Sequence, residues 1–129
     1  MNKDSVKYWL DLSDYDLETA IVMLNSKRFL YVGYMCHQVI EKILKAYYCT
    51  IFDDSPPYTH SLSYLAKKSE LLSDIPENYL DFLDELEPLN IEARYPSHKE
   101  KLFKALNNDK CEYLLNNTKS LQSWIKSKL

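Results

Sequence analysis

Apolar residues along this chain recur mainly at steps of three and four, the spacing of a helix face. Tyr8, Leu12, Tyr15, Thr19 and Val22 step this way, with Asp11, Asp14 and Glu18 mainly on the other side. A first helix is therefore predicted from about Asp4 or Ser5, either of which can cap it, to Asn25. A second is predicted from Phe29 to Thr50, apolar around most of its circumference. Its polar positions form one narrow strip: His37, Gln38, Glu41, Lys42 and Lys45. A helix this apolar belongs in the middle of a bundle or at a dimer interface. Asp53-Asp54-Ser55-Pro56-Pro57 reads as a loop, because consecutive prolines stop a helix. Thr59 is the expected cap of a short third helix reaching about Leu72, and Pro76 opens a fourth that Pro88 ends or kinks. Asn90 to Ser97 is the least regular stretch, closed by Pro96. A last helix, from about Asn107 to Lys126, carries Cys111, Leu114, Thr118, Leu121 and Ile125 on one stripe. The expectation is an all-α protein: one domain over residues 1–129, a single up-and-down helical bundle of four or five helices.

Composition narrows this picture. Among 129 residues there is one glycine, Gly33, which disfavours a hairpin-rich β-fold and leaves nothing to build a glycine-rich phosphate loop. With 46% hydrophobic and 27% charged residues the chain is too apolar for disorder, yet no run approaches the roughly 20 residues of a membrane span. No signal peptide is visible, so a cytoplasmic location is expected. Cys36, Cys49 and Cys111 are odd in number and lie in apolar patterns, as buried free thiols in a reducing compartment would. The three histidines are scattered, so neither a metal nor another cofactor is expected. The net charge of −3 hides an asymmetry. Residues 56–93 are strongly acidic, whereas from Arg94 onward eight basic residues face three acidic ones. Such a segment can meet phosphate, or it can balance acidic neighbours. The acidic positions Asp81, Asp84, Glu85 and Glu87 lack calcium-loop spacing and read as a solvated face.

Four pieces of the sequence together resemble one family. The run Cys36-His37-Gln38-Val39-Ile40-Glu41-Lys42-Ile43-Leu44-Lys45-Ala46 is similar to the signature C-Q-Q-A-x-E-K-x-L-K-A of HEPN domains. Thr59-His60-Ser61-Leu62 resembles that family's T-H-x-L, and Ala93-Arg94-Tyr95-Pro96 its A-R-Y-P. The opening, from Trp9 through Asp16-Leu17 to Ala20, resembles its start. The resemblance implies a short all-α domain, typically a homodimer, encoded beside or fused to a minimal nucleotidyltransferase. Many such domains are RNases, often toxins, whose R-x(4–6)-H arginine and histidine meet across the dimer. Others bind nucleotide or RNA, or serve the nucleotidyltransferase as partners. Here Arg94-Tyr95-Pro96-Ser97-His98 has three intervening residues instead of four to six.

These residues carry plausible chemistry. Metal-independent RNA cleavage needs a group that moves the 2′-hydroxyl proton and a cation for the developing phosphorane charge. His98 and Arg94 are the residue types for those roles, with Lys99, Lys101 and Lys104 adding positive potential. Arg94, Tyr95, Lys99 and Lys101 are equally the natural contacts of a phosphate or nucleotide. Glu41 and Lys45 stand at i, i+4 in the favourable order. With His37, they line a polar pocket near Arg94 or form an internal network that fixes bundle register. His60 belongs to that pocket or packs structurally against the second helix. Three functions follow: a nucleotide- or RNA-binding homodimer, a metal-independent RNase toxin, and a non-catalytic interaction module.

Overall fold

Two 23-residue helices, α1 (Lys3–Asn25) and α2 (Phe29–Ile51), form an antiparallel hairpin across the short turn Ser26–Arg28. The computed structural model describes residues 3–91 and 96–129. After α2 come α3 (Leu62–Lys68), α4 (Glu77–Leu86), α5 (Pro96–Ala105) and α6 (Asn108–Lys126), with 3₁₀ turns at Leu72–Asp74 and Glu87–Leu89. No strand occurs among the described residues. The hairpin turn is closed by Arg28 N–H to the Met23 carbonyl (2.8 Å) and Lys27 N–H to the Leu24 carbonyl (3.0 Å). That Schellman arrangement puts Lys27 in the left-handed region, φ 58°, where glycine is usual.

Helix α1 does not point the way its apolar spacing indicates. Tyr8, Tyr15 and Val22 face outward, Tyr15 with 67% of its surface exposed. The inward face is Ser13, Asp16 and Ala20, flanked by Trp9 and Leu17. Two polar residues can turn inward because each finds a partner. Ser13 Oγ donates to the Val39 carbonyl (2.8 Å), and Asp16 accepts from Lys42 Nζ. Gln122 Nε2 of α6 donates to Ser13 Oγ and to Asp14 Oδ1, each at 3.0 Å, and Lys126 Nζ reaches Asp14 Oδ1 at 2.6 Å. A satisfied polar seam, rather than an apolar stripe, sets α1's orientation.

Helix α2 is the centre of the bundle, covered by α1, α3 and α6. Val32, Cys36, Val39, Ile40, Ile43, Leu44 and Ala46 are all fully buried. Most of its apolar side chains pack within the bundle, while Tyr31 and Ile51 near its two ends are exposed. The α6 stripe of Cys111, Leu114, Thr118, Leu121 and Ile125 is buried as its spacing predicts. Burial pushes the Cys36 thiol up to about 12 and the Cys111 thiol up to about 11. Cys36, Cys49 and Cys111 are all free and buried.

Gly33 permits a close approach. A Cβ there would stand 3.2 Å from Leu106 Cδ1, just beyond α5, and 3.5 Å from Leu89 Cδ1. Helix starts differ from expectation at two places. Ser61, not Thr59, caps α3: its Oγ accepts from Tyr64 N–H (3.3 Å), while Thr59 Oγ1 accepts from Ser61 N–H (3.1 Å) in a local turn. Glu87 Oε1 takes the Ser63 N–H of the same helix end (2.9 Å). Pro96, expected to close an irregular stretch, instead opens α5. Proline is tolerated at a first helical position because that N–H has no intrahelical acceptor. The bundle thus has a sixth helix where sequence periodicity pointed to none, because α5 is short and buries no residue. No helix among the described residues is long and apolar enough to cross a membrane.

Candidate functional site

Within the polar strip of α2, Lys42 turns to Asp16 of α1, while Glu41 meets the segment leading into α3. Glu41 is its hub. Lys45 Nζ, one turn on, donates to Glu41 Oε2 at 3.2 Å, and His60 Nδ1 donates to Oε1 at 2.9 Å. His60 must be the donor, since an ionised carboxylate can only accept. His37 Nδ1 lies 3.9 Å from the same oxygen and accepts from Gln38 Nε2 at 3.4 Å. Lys45 Nζ also sits 5.0 Å from the centre of the Trp9 ring, which closes the cluster from α1.

Burial separates these residues into two groups. The side chains of His37, Glu41 and Lys45 are nearly or wholly enclosed. His60 is half exposed, at 50%, and forms the outer rim. A carboxylate taken from water is tolerated only when it is paired and hydrogen-bonded, which Lys45 and His60 accomplish together. The cluster therefore ties the loop before α3 to the middle of α2, and it exposes one imidazole.

The basic residues lie elsewhere, on α5. His98 and Lys99 are partly buried there, whereas Lys101 and Lys104 are exposed. His98 Nε2 is shielded from solvent and has no hydrogen-bond partner among the described residues. Lys104 pairs with Glu100 at 3.5 Å, but both side chains are more than two-thirds exposed, so the pair contributes little. Among the described residues no carboxylate pairs with Lys99 or Lys101. Arg94 and Tyr95 lie outside the described residues, as does any arrangement of Arg94 with His98. The acidic face of α4 is partly engaged: Glu85 accepts from Tyr113 Oη (2.8 Å) and Lys110 Nζ (3.2 Å) of α6.

The sequence-predicted residues thus divide between two places. His37, Glu41, Lys45 and His60 meet at the α2–α3 cluster, and His98, Lys99 and Lys101 share α5. Periodicity gave no sign of α5, nor of a third feature, the exposed aromatic residues Tyr31 of α2 and Phe103 of α5 that line one cavity.

An all-helical bundle with a buried Glu–Lys–His hub and a basic outer helix defines a small α-domain class. The HEPN domain family model matches residues 6–128, nearly the whole chain, and the chain belongs to that family. The crystal structure of TT1696 from Thermus thermophilus is similar in fold, with a TM-score of 0.82 over 100% of both chains at 19% sequence identity. Among curated proteins none matches this chain. The family supports a helical module related to nucleotides or RNA.

Proposed function

We propose that this chain is a single-domain, cytoplasmic nucleotide- or RNA-binding member of the HEPN family, acting as a homodimer beside a nucleotidyltransferase partner. The observation that carries the reading is α5: a helix with no buried residue, bearing Lys99 and Lys101 without carboxylate partners among the described residues. Cations held at a surface and left unneutralised are what a phosphate backbone requires. Arg94 and Tyr95, just before α5 in sequence, extend the same basic run. The α2–α3 cluster supplies a fixed scaffold and presents His60 at its rim. The dimer and the nucleotidyltransferase partner rest on the family resemblance, and light scattering of the purified chain tests the first of them.

Binding of a labelled single-stranded RNA, followed by anisotropy against salt, tests the ligand class. Affinity should fall with salt, and the slope of log affinity should shrink by about 1.4 when Lys99→Ala and Lys101→Ala are combined, about 0.7 per lost phosphate contact. Absence of binding at low salt, or an unchanged slope, would contradict the reading.

His98 favours a second reading. A histidine whose shielded Nε2 has no partner among the described residues is a candidate for proton transfer, the role an RNase needs. RNA cleavage in the presence of chelator, lost in both His98→Ala and Arg94→Ala, would establish it; cleavage surviving both changes would remove it.

A further inference from the structure

We infer that the cavity between the α1–α2 turn and α5 is a subsite for a nucleoside phosphate unit, its base against the aromatic walls and its phosphate on Lys27 and Arg28. The inference deepens the reading above and rests on it. The cavity measures about 400 Å³ and is lined by Lys27, Arg28, Tyr31, Phe103 and Leu106, together with Phe29 and Leu30. That volume falls within the roughly 300–1,000 Å³ of small-molecule sites.

The composition of the wall is specific. Phe103 is 68% exposed and Tyr31 49% exposed, and both line this one cavity. A single exposed aromatic residue is ordinary, but two lining one cavity with two cations are the ingredients of base stacking and phosphate contact. Lys27 and Arg28 have no ion-pair partner among the described residues. Both are carried on the Schellman turn, whose two backbone hydrogen bonds hold Lys27 in a conformation that glycine would adopt more easily. Phe103 stands four residues after Lys99, on the same face of α5, so the cavity continues the basic surface of that helix. Leu106, packed over Gly33, fixes the trailing end of α5 against α2 and keeps the Phe103 wall in place.

The cavity admits a base and one phosphate, whether these come from a free nucleotide or from a segment of single-stranded RNA. Calorimetric titration of the full chain at low salt with AMP, adenosine, inorganic phosphate and an eight-nucleotide oligoadenylate separates these sources. AMP or the oligonucleotide should bind at least tenfold more tightly than adenosine or phosphate alone. Phe103→Ala should weaken that binding about tenfold through loss of a stack, and Lys27→Ala with Arg28→Ala should weaken it comparably and flatten its salt dependence. Binding of AMP indicates a free nucleotide, and binding of the oligonucleotide alone indicates RNA; either supports the subsite. All three substituted side chains are exposed, so thermal melting should report an unchanged fold. If the oligonucleotide binds and responds to Lys99→Ala with Lys101→Ala but not to the cavity variants, the subsite is wrong and the RNA reading stands. If no probe binds, both are wrong.

Discussion

Helices α2 and α5 touch each other but obey opposite rules. Most of α2 is buried, including most of its charged strip, whereas α5 has no fully buried residue and keeps Lys101 and Lys104 exposed. A helix enclosed on all sides derives its position from packing, and each of its polar groups needs a protein partner. A helix held at one end by Leu106 against Gly33 has few packed contacts, and its cations stay free to meet a ligand. Packing is concentrated in the first, and the proposed RNA contacts lie on the second. Proteins commonly draw their binding elements from the less stable end of the structure.

Several changes separate the two regions, and the largest effects belong to α2. Replacing Glu41 by Ala leaves Lys45 enclosed without its acceptor and removes His60's anchor. A loss of about 3–5 kcal/mol in urea unfolding is expected. A loss below about 1 kcal/mol would show that the cluster is solvated and not a structural hub. Leu44→Ala, in the apolar core, should cost about 2–5 kcal/mol by leaving a cavity.

Alkaline titration should follow the buried thiols. Cys36 and Cys111 hold their protons in the folded chain up to about 12 and about 11, against an ordinary thiol value of 9.0. The folded state then binds more protons than the unfolded one above that ordinary value, so stability declines as pH rises from about 9 towards 12. Each thiol contributes a slope of at most about 1.4 kcal/mol per pH unit. Cys36→Ala should flatten the decline, and an unaltered slope would refute the assignment. Gly33→Val should cost about 1–3 kcal/mol by overpacking against Leu106, and it should weaken RNA binding by shifting α5. The smallest effect is expected of Phe103→Ala, within about 0.5 kcal/mol in thermal melting, because the ring is exposed.

The contrast also explains what the sequence revealed. Helix α2 and the α6 stripe were legible because their apolar spacing is dense and the core demands it. Helix α1 was legible as a helix but not in its orientation. Ser13 and Asp16 turn inward only because Val39's carbonyl and Lys42 await them, and such partnerships are invisible in a linear pattern. Helix α5 escaped notice because a helix with no fully buried residue leaves little apolar periodicity, and its proline reads as a stop until it is seen at the first position. Of the proposed site, the Glu41–Lys45 pair was visible from its i, i+4 spacing. The attachment of His60 to Glu41 bridges two elements, so only the fold displays it. The cavity beside Tyr31 and Phe103 joins residues far apart in sequence and had no local signature.

Hydrogen exchange across both helices, with and without single-stranded RNA, tests this division of labour most directly. Amides of residues 97–105 should exchange rapidly in the free chain and slow at least tenfold when RNA is added, while the centre of α2 exchanges at the global unfolding limit throughout. Equal protection of α5 and α2 in the free chain, with no change on adding RNA, would contradict the account.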